Sequence, residues 1–228
     1  MSSERFITAD PAPEADDLLK RYVDLAHPRL GTEVTFATDD FFADKSRMIA
    51  PEAPVFFPDR FDDHGKWMDG WESRRKRTPG HDHAIIRLGQ RGTIAAVDID
   101  TAFFTGNFPP EAALEAADTV DAPGEDDWQT IVPRMDLKGD SHNIVASDAA
   151  GPFRWLRLHI YPDGGVARLR VYGTIAKDWS EVATDEVVDL AALTNGGTAI
   201  AWNDAHYGAP ANMLAPGREL RRLGCWRR

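Results

Sequence analysis

Between Gly65 and His83 the chain crowds Trp67, Asp69, Trp71, Glu72, Arg74, Arg75, Arg77, His81 and Asp82 into one run. A guanidinium is a planar fork that matches a carboxylate with two parallel hydrogen bonds, so Arg74, Arg75 and Arg77 form a candidate clamp for a small anion, with Arg75 or Arg77 favoured over Arg74. Glu72 and His81 are the candidates for proton transfer, and Asp69 or Asp82 is suited to orienting a histidine. A carboxylate among arginines is expected to have a lowered pKa, which suits Glu72 to the part of base. Local pairing of Glu72 and turn capping by His81 are the plain alternatives. Trp71 is a core or loop anchor or a substrate contact, and Asn107, in a Gly-Asn turn, has an amide to offer a polar ligand. The triplet His81-Asp82-His83 falls short of the three or four placed groups of a closed metal site, so no metal is expected. The sequence has no phosphate-cradling glycine motif and no Gly-x-Ser-x-Gly elbow, and with Cys225 as its only cysteine no thiol nucleophile is expected.

Such a run, with Gly65, Gly70, Pro79 and Gly80 in it, reads as a loop held by strands on both sides. Residues 84–88 and 93–101 alternate around Gly89 and Gly92 and predict a half-buried hairpin. Residues 154–161 and 166–172, joined through Asp163-Gly164-Gly165, predict a second one. There Arg157, His159, Arg168 and Arg170 would share the face opposite the aliphatic rows, as a grip for an anion or partner subunit, or as a solvated face with cross-strand charge pairs. Residues 103–110 form an aromatic turn plugging one end of the sheet. Residues 111–127, acidic and poor in large apolar side chains, read as a solvated loop with a little helix and no chemistry. Upstream, residues 1–17 read as a loose arm, 18–25 as a short helix and 31–36 as a strand, and Pro51, Pro54 and Pro58 impose an extended connection. Short strands with Gly and Pro punctuation and little amphipathic helix predict an all-β chain, an antiparallel jelly-roll β-sandwich of the galactose-binding-domain type.

The balance of 26 basic against 37 acidic residues gives a net charge of −11, which argues against nucleic acid and anionic membranes as partners. One cysteine in 228 residues, and no apolar run of spanning length, point to a cytoplasmic protein.

The chain also echoes itself. Asp39-Asp40-Phe41-Phe42-Ala43 through Met48-Ile49-Ala50-Pro51 matches Asp204-Ala205-His206-Tyr207-Gly208 through Met213-Leu214-Ala215-Pro216 at a fixed offset. The expected organisation is an arm over 1–17, a first repeat over 18–177, a linker over 178–194 and an incomplete second repeat over 195–228. Trp202, Tyr207, Met213, Leu214 and Trp226 must then dock on the first repeat, pair between chains, or leave an aggregation-prone edge.

Three blocks carry a resemblance: Gly65-Lys66-Trp67-Met68-Asp69-Gly70-Trp71-Glu72-Ser73-Arg74-Arg75-Lys76-Arg77 with Gly80-His81-Asp82, then Asp98-Ile99-Asp100-Thr101 with Phe104-Thr105-Gly106-Asn107-Phe108-Pro109, then Tyr161-Pro162-Asp163-Gly164-Gly165 running on to Gly173. Together they resemble allantoicase. The resemblance implies two similar jelly-roll repeats, hydrolysis of allantoate to ureidoglycolate and urea in purine catabolism, and no organic cofactor. A homo-oligomer is expected. The shortened second repeat leaves a ligand-binding jelly roll or an inactive fragment as the alternatives. For allantoate, the arginines would hold its carboxylate, Glu72 and His81 would move protons, and Asn107 would meet a ureido oxygen.

Overall fold

One strand runs through both layers of the molecule. The computed structural model describes residues 5–204 and 208–217; Tyr207, Cys225 and Trp226 lie outside them. In chain order the strands are β1 Ile7–Thr8, β2 Val23–Asp24, β3 Glu33–Ala37, β4 Val55–Phe56, β5 Phe61–Asp62, β6 Gly65–Lys66, β7 Trp71–Glu72, β8 Asp82–Asp100, β9 Glu111–Ala117, β10 Gln129–Asp136, β11 Ile144–Ala146, β12 Phe153–Tyr161, β13 Gly165–Val166 and β14 Arg168–Ile175, with the α-helix α1 over Pro13–Arg21. The first half of β8 lies between β3 and β12, and β9 and β10 continue that layer outward. Its second half lies between β11 and β14, with β2 beside β14. All these pairings are antiparallel.

Ile86, Leu156, Leu158 and Ile160 of one layer and Val97, Ile99, Leu169 and Val171 of the other are buried in a single core. Each such side chain stabilises the fold by roughly 1.5–3 kcal/mol relative to exposure. The antiparallel jelly-roll sandwich expected from the alternation is therefore what forms.

Gly89 and Gly92 do not make a hairpin turn. Residues 88–91 stand opposite Arg154 alone, since Trp155 pairs with Arg87 and Phe153 with Gly92, and here β8 leaves one layer for the other. The glycines permit close packing: a Cβ on Gly89 would overlap the Leu30 carbonyl oxygen, and one on Gly92 would lie 2.7 Å from Leu25 Cδ1. The second expected hairpin is also absent, because β12 and β14 are separate neighbours of β8. The cationic strip is split accordingly. Arg157 and His159 meet Glu115, whereas Arg168 meets Asp69 and Arg170 meets Asp24.

Residues 111–117 are not a loop but an inner strand, with Ala112, Ala113, Leu114, Ala116 and Ala117 buried between β10 and β12. At the N-terminus, residues 13–21 are helical where an arm and a later helix were expected. Pro13 at the first helical turn, Glu14 and Asp16 beside it and Lys20 and Arg21 at the far end suit the helix polarity. Leu193 is buried, and Ala211, Leu214 and Ala215 pack against the main core, so this part of the chain docks on the sandwich. Among the described residues no helix is long and apolar enough to cross a membrane.

Candidate active site

Residues 73–82 run along the turn 162–165 at one end of the sandwich and are tied to it at both ends. Ser73 N donates to Gly164 O at 3.1 Å, Lys76 N to Asp163 Oδ2 at 2.8 Å and Asp82 N to Pro162 O at 3.0 Å. At the root of this loop β7 pairs with β13, which places Glu72 against Gly165; Gly165 N donates to Asn107 O, and Asn107 Nδ2 donates to Glu72 Oε1 at 2.6 Å. Burial lifts the Glu72 carboxyl above the usual range, and the Asn107 bond offsets this only in part. This reverses the expectation for Glu72. Among the described residues no arginine pairs with its carboxylate, so desolvation prevails and the group is suited to being an acid.

Three other expected residues are held by the framework. Trp71 is fully buried and its indole nitrogen donates to Asp39 O at 2.8 Å, so it anchors the loop and is no substrate contact. Asp69 accepts from Arg168, itself 2% exposed, at 2.8 Å and from Val55 N at 2.9 Å, and so does not orient a histidine. Asp82, 1% exposed, accepts from Lys76 Nζ at 2.5 Å and Thr38 Oγ1 at 2.8 Å, again with no histidine. Arg74 is taken by Asp39 at 2.7 Å and lies over Phe41. Arg75 and Arg77 are exposed and, among the described residues, have no side-chain hydrogen bond or ion pair.

His81 faces a different neighbourhood. The inward turn of Leu158 and Ile160 sends His159 and Tyr161 to the outer face of β12, and on β9 the same alternation presents Glu111 and Glu115. Register sets Arg157 opposite Glu115, His159 opposite His83 and Tyr161 opposite Glu111. A continuous chain results. His81 Nε2 lies 2.8 Å from His159 Nδ1, His159 Nε2 lies 2.8 Å from Glu115 Oε2, and Arg157 Nε donates to the same oxygen at 2.7 Å. Burial raises the Glu115 pKa, but the bonds from His159 and Arg157 outweigh it and leave the carboxyl below its usual range. Burial depresses the His81 pKa, so the ring is neutral near pH 7.

His81 lines an open cleft of about 430 Å³ together with Gly80, Pro110, Glu111, Arg134, Tyr161 and Pro162. Arg134 is paired with Glu111 and lies 4.0 Å over the Tyr161 ring. Of the nine residues singled out from sequence, His81 alone lines this cleft, with Glu72 and Asn107 paired at the root of the same loop. Glu115 was not singled out from the sequence, and His159 was placed only in the cationic strip, apart from His81. The signal was the alternation Glu111, Ala113, Glu115, masked by reading the whole stretch through its acidity. Among the described residues no group of three or more His, Cys, Asp or Glu could hold a metal ion.

A family model described as an allantoicase repeat matches residues 23–176. The chain belongs to the allantoicase family. A probable allantoicase of Photobacterium profundum is 55% identical over 201 residues, covering 87% of this chain and 61% of that protein. Probable allantoicase 1 of Burkholderia mallei is 50% identical over 216 residues, covering 94% of this chain and 64% of that protein. The crystal structure of Saccharomyces cerevisiae allantoicase superposes with a TM-score of 0.73 at 30% identity, over 94% of this chain and 67% of the yeast chain. The chain thus spans 61–64% of the length of these two bacterial relatives.

Proposed function

We propose that this allantoicase-family chain hydrolyses allantoate to ureidoglycolate and urea at the loop end of the sandwich. The observation that carries the reading is His81, a neutral imidazole at an open cleft with a histidine and a carboxylate in line behind it. Allantoate bears a carboxylate and two ureido groups on one saturated carbon. Hydrolysis forms a carbon–oxygen bond to water and breaks one carbon–nitrogen bond. Water's proton goes to a base and the departing nitrogen takes one from an acid. His81 is the base and Glu72 the acid, because burial keeps Glu72 protonated further up the pH scale. Arg74 and Arg134 are already neutralised by Asp39 and Glu111, so the carboxylate clamp falls to Arg75 and Arg77. Asn107, fixed on Glu72, is assigned to a ureido group.

Urea release from allantoate by the purified chain tests this. We expect turnover, a loss of about 10²–10⁴-fold in kcat for His81→Ala and for Glu72→Gln, and a rise in KM for Arg75→Ala and Arg77→Ala. At about 1.5–3 kcal/mol for a charged hydrogen bond, that rise is roughly 10- to 150-fold. Allantoate binding without turnover would replace the hydrolase by a binding module, and neither binding nor turnover would refute the reading. The same proposal has the chain working as a cytoplasmic homo-oligomer; its charge of −11 supports only the further part, that neither nucleic acid nor an anionic membrane is a partner. A monomer by light scattering would overturn the oligomer.

A further inference from the structure

The groups behind His81 fix which of its two ring nitrogens can act. An ionised carboxylate only accepts hydrogen bonds, so Glu115 Oε2, 2.8 Å from His159 Nε2, requires the proton of His159 to sit on Nε2. In the neutral form of His159 that N–H is the only one, which makes its Nδ1 an acceptor and His81 Nε2, 2.8 Å away, its donor. His81 Nδ1 is left with the lone pair. No described residue hydrogen-bonds to it, and His81 lines the cleft.

We propose that Glu115, acting through His159, fixes the tautomers of both rings so that His81 Nδ1 is the general base of the cleft. His81 is then the catalytic residue, and His159 and Glu115 are positioning residues. The inference rests on the hydrolase reading of the same cleft. Water bonds through oxygen to the central carbon of the ureide and gives its proton to His81 Nδ1, while the carbon–nitrogen bond breaks and Glu72 protonates the departing nitrogen. The imidazolium so formed is balanced by the Glu115 carboxylate through His159, and its proton returns to Glu72 by way of solvent.

The groups around His81 favour this resting state. His159 and Tyr161 face it from β12 and His83 from β8, with ring centroids at 5.0, 4.4 and 6.4 Å. Lys76 in the loop and Arg134 in the cleft wall are cationic, and Asp82, the adjacent carboxylate, is engaged by Lys76. The ring thus begins neutral, as a base must. Glu125, on the far side of Arg157, holds that guanidinium at 2.9 Å and steadies Glu115 from behind.

Long-range ¹H–¹⁵N correlation spectra of the full chain labelled at histidine nitrogens read each tautomer directly, with His81 and His159 identified by loss of their signals in His81→Asn and His159→Asn. At pH 7.5 the wild type should show protonated Nε2 on both rings. In Glu115→Gln the side-chain amide can donate to His159, so both rings should lose that single tautomer, and kcat should fall about 10²-fold with KM within a factor of about three. Glu115→Asp should restore the tautomer and part of the rate. A wild-type His81 protonated at Nδ1 overturns the inference whether or not any variant folds, as does an unchanged His81 tautomer in Glu115→Gln. Absence of urea release with the expected tautomers would sink the hydrolase reading and, with it, the catalytic part of this one; urea release with the wrong tautomer would sink this one alone.

Discussion

Glu72 and Asp100 are carboxyls that the fold withdraws from water, and their titrations report on different properties. Glu72 must be protonated to act as an acid, so kcat should fall as pH rises through its pKa. Asn107→Ala removes a bond that favours the ionised form, raises that pKa, and should move the alkaline limb of the kcat profile to higher pH; an unmoved limb counts against the assignment. Asp100 reports on stability. Its pKa is raised by burial from 3.8 to about 6, so its stabilising share is complete below the unfolded value and is lost as pH climbs through about 6. Asp100→Asn should therefore gain on the wild type, by up to about 3 kcal/mol, in urea unfolding compared between pH 4 and 6.5. His142 has the same sign in a higher window. Its bond to Asp98 raises it from 6.5 to about 9, and His142→Gln should abolish the loss of stability between those values. At this scale the sequence reveals residue types better than directions. The run 65–83 advertised Glu72 and His81, but Asp69 has the same carboxyl on paper as Glu72 and, like Trp71, is turned into the framework. Glu115 was hidden by its alanine neighbours, which look solvated although small side chains are what a strand covered on both flanks can pack.

The elements were legible wherever alternation was strong, as in β12, where Leu156, Leu158 and Ile160 marked the inner face. They were misread at Gly89 and Gly92, where glycine was taken as a sign of reversal although it permits close approach. Two substitutions separate these meanings. Gly89→Ala should cost about 3 kcal/mol or more in chemical denaturation, because the clash is with the backbone of residues 30 and 31, which cannot turn aside. Gly106→Ala, in the exposed turn beside Asn107, meets nothing within 4 Å and should change stability by less than about 0.5 kcal/mol. The pairing order was not legible either. Local signals propose hairpins, whereas β8 takes β12 and β14 on separate halves through contacts that a reading of adjacent residues does not reach.

For the molecule as a whole, the internal echo raised the question of what the chain beyond residue 195 rests on. Leu193 is buried beside β14, Leu193 N donates to Leu214 O at 2.7 Å, and Arg29 Nη2 donates to Asn212 Oδ1 at 2.6 Å. Trp202 and Met213 remain exposed. Limited proteolysis should cut first around Val187, Leu190 and Ile200, which lie open at 98%, 71% and 92% exposure, and spare residues 210–215 until later. Leu193→Asp should remove that delay. The layer-crossing strand has a further consequence for biosynthesis. β8, nineteen residues long, finds its partners as early as Glu33 and as late as Ile175, so it leaves the ribosome with long unpaired edges and waits for most of the chain to follow. Until Ile175 emerges, the nascent chain carries a sticky ribbon through its middle, and slow translation of the segment between Asp100 and Arg168 would lengthen its dependence on chaperones.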